Sequence, residues 1–176
     1  MNDNRTLPTS GTPSGTRHGS AEITLPSDTE ILITRRFDAP AALVYRAVTT
    51  PELVKRWWGF PTSEWLVCEI DFRVGGQWRF VTREGDMEVG FHGEYLEIEP
   101  SRRIVQTEIY EGAPELYPSD AAVNTTTFDE ADGVTTMTVL VSVPNRELRD
   151  IIIASGMESG MQVSYNRLED LIRSAA

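Results

Sequence analysis

The chain has 176 residues, 40% of them hydrophobic, and a formal net charge of −11. That length suits one domain with a real core. The acidic balance excludes nucleic acid and an anionic membrane surface as partners, and no apolar run approaches membrane-spanning length. One cysteine, Cys68, rules out an internal disulfide and a cysteine-based metal cage. Its alternation partners Leu66, Ile70 and Phe72 make it a small core residue rather than a nucleophile. The N-terminus is polar and lacks the apolar segment of a secretory signal, so the expectation is a reduced, cytoplasmic protein with no membrane insertion.

Residues 1–28 are rich in Thr, Ser, Gly, Pro and Asn. Such a composition cannot bury enough surface to offset its ordering entropy, so it reads as a disordered tail preceding a domain over 29–176. Glu30 to Phe37 alternates as a first strand. Asp38 offers a helix cap and Pro40 fits the first helical turn, where a missing N–H costs little. Leu43, Val44, Ala47 and Val48 give that helix an apolar face. Thr50-Pro51 starts a second short helix carrying Leu53, Val54, Trp57 and Trp58, and Gly59 stops it.

From Glu64 the period drops to two. Trp65 to Arg73 and Gln77 to Arg83 read as strands joined at Gly75-Gly76. Met87 to Glu99 follows the turn Glu84-Gly85-Asp86; Gly90 and Gly93 inside it are expected to bulge or kink a bent sheet. Arg102 to Glu111 comes next, with Ile104, Gln106, Glu108 and Tyr110 on one face. After a loop containing Gly112, Pro114 and Pro118, Ala121 to Asp129 and Val134 to Val143 pair across Asp132-Gly133. Pro144 ends the last strand and Asn145 can cap a helix beginning at Leu148. Gly156 interrupts that helix. Beyond it Met157, Met161, Tyr165, Leu168 and Leu171 recur at helical spacing, and Ser155 with Glu158 stands at capping-box spacing. The order is βααββββββα. This predicts an α+β fold: a curved antiparallel sheet of six or seven strands wrapped around one long C-terminal helix. A doubly wound parallel sheet is excluded, since strands and helices do not alternate.

Certain residues then fall into a recognisable series. Phe37-Asp38-Ala39-Pro40, Val44-Tyr45-Arg46-Ala47, Thr50-Pro51-Glu52-Leu53 and Arg56-Trp57-Trp58-Gly59 come in that order. Asp71 to Phe80, Gly93-Glu94-Tyr95-Leu96-Glu97-Ile98, and Gly156-Met157-Glu158-Ser159-Gly160 with Leu168 complete the set. Over residues 30 to 174 the chain resembles the C-terminal-domain family of the activator of the heat-shock-protein-90 ATPase, in the START/SRPBCC superfamily. The resemblance implies the helix-grip fold, often with an apolar cavity between sheet and helix, and a setting in the stress response. Two departures stand out. Met161-Gln162 stands where bacterial-type members often carry Trp and a basic residue, which reshapes the cavity. The separate N-terminal domain of the eukaryotic co-chaperone is replaced by a short polar tail, which argues against chaperone activation.

The candidate ligand site combines the helix stripe Met157, Met161, Tyr165 and Leu168 with the sheet residues Trp78, Phe80, Phe91 and Tyr95. Ordinary core packing explains the same pattern, and strand parity alone does not fix the inner face. Trp57 and Trp58 cannot both enter one core, so one is a candidate gate or partner contact. Gln106 and Glu108, with Asn124 and Thr126, are polar at strand period and orient a ligand if they point inward. His92 has the opposite parity to Phe91, and only Glu108 can be suggested as its acid–base partner. No triad and no metal-ligand spacing is present, so no catalytic residue, metal or cofactor is expected. Asp71 and Arg73 read as structural ion-pairing residues. The partner expected first is a small hydrophobic molecule such as a lipid or polyketide. The second reading is a chaperone or other protein meeting Trp57, Trp58 and an acidic surface. An enzyme of the cyclase or hydrolase kind comes last.

Overall fold

The computed structural model describes residues 21–116 and 121–175; Pro118 and His18 lie outside them. Among the described residues eight antiparallel strands form one sheet: β1 (Glu22–Thr24), β2 (Glu30–Phe37), β3 (Glu64–Ile70), β4 (Gln77–Glu84), β5 (Met87–Glu99), β6 (Arg103–Tyr110), β7 (Ala122–Ala131) and β8 (Val134–Ser142). Their spatial order is β1-β2-β8-β7-β6-β5-β4-β3. Strand β2 therefore pairs with the last strand, β8, and β3 to β8 follow one another as a meander. Four helices are α1 (Ala41–Thr49), α2 (Pro51–Trp57), α3 (Arg146–Ala154) and α4 (Met157–Ala175).

The strand count exceeds the sequence expectation by one, because Glu22–Thr24 adds to the edge of β2 in register with Leu32–Thr34. The residues from 21 onward thus belong to the fold. Ile23 packs against the core, and Gln162 of α4 donates to the Ala21 carbonyl at 2.8 Å. A strand recruited by a neighbour's edge needs little hydrophobic content of its own, which is why composition gave no sign of it.

Several local expectations shift. The cap position of α1 falls on Pro40 rather than Asp38, so Pro40 precedes the first turn, and the Ala41 N–H is capped by the Glu130 carboxylate of β7 at 2.8 Å. Strand β3 ends at Ile70, and residues 71–76 form a hooked loop rather than a tight hairpin. The loop hydrogen-bonds to β5, with Gly75 N–H donating to the Tyr95 carbonyl at 2.8 Å and Tyr95 N–H to the Gly76 carbonyl at 2.9 Å. A Cβ on Gly76 would stand 2.0 Å from the Asp71 carbonyl oxygen, so the hook demands glycine there. The irregularities of the sheet fall between Trp65 and Val67 and between Tyr95 and Glu97 instead of at Gly90 or Gly93. Ser155 does not open α4 with a capping box. It closes α3, its hydroxyl donating to the Ile152 carbonyl at 2.6 Å, and Gly156 at φ 80° turns the chain into α4. Among the described residues Asp71 and Arg73 form an ion pair only with each other, at 2.8 Å and well exposed, where such a pair contributes little.

The core lies between the sheet and the second half of α4. Ile31, Ile33 and Phe37 of β2, Met137 and Val141 of β8 and Phe128 of β7 meet Leu168, Leu171 and Ile172. Inside it, Arg35 of β2 is 1% exposed. Its guanidinium donates to Glu169 at 2.5 Å and to Asn166 at 3.3 Å. Arg173 approaches the other carboxylate oxygen of Glu169, also at 2.5 Å. A buried charge pair contributes more to specificity of register than to net stability, since desolvation offsets its attraction. Here it pins α4 across β2.

Candidate functional site

Strand pairing settles which residues face the helix. Trp78 and Phe80 of β4 pair with Gly93 and Phe91 of β5, and Phe91 pairs with Tyr110 of β6. Gln106 pairs with Asn124 and Glu108 with Ala122 of β7. All of these lie on the concave face, together with Tyr95, which pairs with Gln106. The opposite face carries Arg79, His92 and Glu111, which form a surface cluster: Arg79 grips Glu111 at 2.7 and 2.9 Å, and the His92 Nδ1 stands 3.1 Å from the same carboxylate. The Arg79 guanidinium holds the Glu111 carboxyl below the usual carboxylate range. The sheet therefore separates His92 from Glu108, and the suggested acid–base pair does not exist.

Helix α4 covers the concave face unevenly. Its second half is buried, with Leu168 fully covered and Tyr165 8% exposed. Its first turns, Met157 to Val163, remain partly open. On the concave face Phe80, Phe91 and Tyr110 are also only partly covered. The two tryptophans of α2 and its cap divide as geometry requires. Trp57, 8% exposed, donates its indole N–H to the Ala47 carbonyl at 2.9 Å and packs near Tyr165. It is a core anchor. Trp58 lies half-buried across the sheet aromatics, its ring centroid 5.4 Å from Trp65, 5.6 Å from Phe80 and 5.9 Å from Phe91. Gly59 N–H donates to the Ser164 hydroxyl and Arg167 donates to the Gly59 carbonyl, tying this corner to α4. The tryptophans are thus not a displayed pair for a partner protein; Trp58 rests on the concave face.

The polar residues inside form a second feature. Glu108 is half-buried by its exposed area, yet burial pushes its carboxyl pKa up while a hydrogen bond from Asn124 acts the other way. The carboxyl thus sits where loss of water disfavours its charged form. Asn124 is 8% exposed and its Oδ1 has no hydrogen-bond partner. Burial also raises the Tyr165 phenol, with the charge of the Glu108 carboxyl adding to the rise. Sequence reasoning named Gln106, Glu108 and Asn124 without their face, and it missed Trp65 and Tyr110 in the aromatic wall. Both were readable as aromatics at strand period; only register could place them. Surface depressions lie elsewhere too, on the outer side of α3 by Arg146, Asp150 and Ile151 and beside Arg56, Arg167 and Asp170. Neither touches the concave face.

A curled antiparallel sheet closed over one long C-terminal helix, with an aromatic-walled concave face, defines a helix-grip α+β protein. Residues 38–173 match the family model described as activator of Hsp90 ATPase homolog 1-like protein. The chain belongs to that family. A protein from Rhodobacter sphaeroides superposes with TM-score 0.80 at 23% identity, covering 89% of this chain and 100% of its own. One from Nitrosomonas europaea gives TM-score 0.73 at 20% identity over 86% of this chain and 98% of its own. One from Chromobacterium violaceum gives 0.67 at 26% identity over 81% and 96%. A search of curated proteins finds no match. Among the described residues no helix is long and apolar enough to cross a membrane, and no cluster of His, Cys, Asp or Glu fits a metal ion.

Proposed function

We propose that this protein binds a small hydrophobic molecule between the first turns of α4 and the concave faces of β4, β5 and β6. The observation that carries the reading is the incomplete cover there. Met157, Met161, Trp58, Phe80 and Phe91 are apolar and point inward, yet remain partly exposed. A folded monomer gains by covering such surface, and a ligand does so at about 25 cal/mol per Å2 of apolar area before association costs. Met157 and Met161 adapt their shape to an occupant at low cost, and Trp58 is the side chain that must move to admit one. Gln106, Glu108 and Asn124 supply the few polar groups that fix orientation. Leu168, Trp57, Trp78 and Tyr95 serve as walls and supports rather than direct contacts in this reading. With one free cysteine, Cys68, the protein suits a reducing, cytoplasmic setting.

Lipids, flavonoids and polyketide-like aromatics should be screened by amide chemical-shift perturbation on the labelled protein. Shifts concentrated near Met157, Met161 and Tyr165 are the expected result. A ligand set that perturbs only the outer sheet face, or none of these amides, removes the reading.

A further inference from the structure

The geometry points to a particular chemistry for that ligand: an apolar body carrying a protonated amine, with the ammonium held by Glu108. This rests on the binding reading above and deepens it. The register places Glu108 opposite Ala122 of β7, and the pairs His92 with Ile109 and Tyr95 with Gln106 bring Gly93 of β5 beside it. Two of its neighbours on the inner face therefore have almost no side chain. The Trp78 indole fills the position of the missing Gly93 side chain, where an added Cβ would stand 2.7 Å from its Nε1, and that N–H donates to the Thr107 carbonyl at 3.2 Å. Trp78 is thereby fixed as a rigid aromatic wall next to the carboxyl.

What the carboxyl lacks is a cation. Among the described residues Glu108 makes no ion pair, and the Asn124 amide is the group that donates to it. The guanidinium of Arg35, the buried cation of this core, is taken by Glu169 and Asn166. Beside Glu108 the Asn124 Oδ1 is a second acceptor, deeply buried and without a donor. A carboxyl held by a single amide, with an unpartnered buried acceptor on the same face, is costly in a protein interior. An alcohol offers one hydrogen, while a primary ammonium offers three together with the charge that Glu108 needs. Facing aromatic rings attract the same cation through their π faces. The net charge of −11 further raises the local concentration of cations and opposes a carboxylate ligand.

Three matched probes isolate the head group: phenylbutylamine, phenylbutanol and phenylbutanoate, titrated calorimetrically into the full chain and into Glu108→Gln at neutral pH. The amine should bind the natural protein about tenfold more tightly than the alcohol, as a charge-assisted contact exceeds a neutral one, with the acid weakest. In Glu108→Gln the amine should lose its advantage over the alcohol, so that the two bind equally. If alcohol or acid binds the natural protein as well as the amine, or the amine keeps its advantage in the variant, the amine assignment is overturned while the apolar cleft stands. If none of the three binds, both fall together.

Discussion

Replacing each of the adjacent tryptophans by alanine separates anchor from gate. Trp57 is nearly buried and its indole satisfies the Ala47 carbonyl. Truncation there costs about 3–5 kcal/mol for the cavity and strands a buried carbonyl for about 1 kcal/mol more. Trp58 is half-buried and gives up contacts with Trp65, Phe80 and Phe91. Each such ring pair is worth about 0.5–1.5 kcal/mol, but the three sheet rings can close on one another, so the net cost is about 2 kcal/mol. At about 2–4 °C per kcal/mol for a chain of this size, Trp57→Ala should lose about 8–24 °C in Tm and Trp58→Ala about 4–8 °C. Thermal and urea unfolding followed by far-UV circular dichroism give these numbers directly. Removing Trp58 also uncovers the sheet aromatics, so folded Trp58→Ala should bind the neutral dye Nile red several-fold more tightly than the natural protein. Equal destabilisation by the two substitutions, or no gain in dye binding by Trp58→Ala, would refute the division of roles.

The buried ion pair makes an asymmetric prediction. Glu169→Gln leaves the covered Arg35 charge uncompensated and should cost about 3–5 kcal/mol, whereas Arg35→Met leaves Glu169 still paired with Arg173 and should cost less, as urea midpoints will tell. Glu108 sets a pH dependence. Burial raises its folded-state pKa above the ordinary 4.5, so the native state retains a proton that the unfolded chain has lost, and stability falls as pH rises through that window. Glu108→Gln should remove that slope and be the more stable protein at neutral pH, with the difference vanishing near the ordinary carboxylate pKa; a difference that is the same at all pH values contradicts the buried carboxyl.

The sheet, its meander and the long helix were legible because alternation in β4 to β8 and the stripe from Met157 to Leu171 carry opposite periods. Asn145 illustrates local chemistry that reads directly, its side chain accepting from Leu148 N–H at 2.8 Å. The misses share a cause. Glu130 capping α1, β1 joining β2 and the hook of 71–76 onto β5 are all contacts between distant segments, which override local preference. For the site, residue types were readable and faces were not. A one-residue change of register exchanges inner for outer, so only the ladder tells that Glu108 shares a face with Phe91 and not with His92.

The methionines offer the most direct measurement of where a ligand sits. Met157 and Met161 are partly buried against the core on the first turns of α4, Met137 is buried at 3% exposure and Met87 is exposed at 62%. Spectra of methyl-labelled methionine, recorded while a bound apolar amine is titrated in, should move the Met157 and Met161 signals together and leave Met137 and Met87 in place. Movement of Met87 alone, or saturation binding with Met157 and Met161 unmoved, would contradict a ligand between α4 and the sheet.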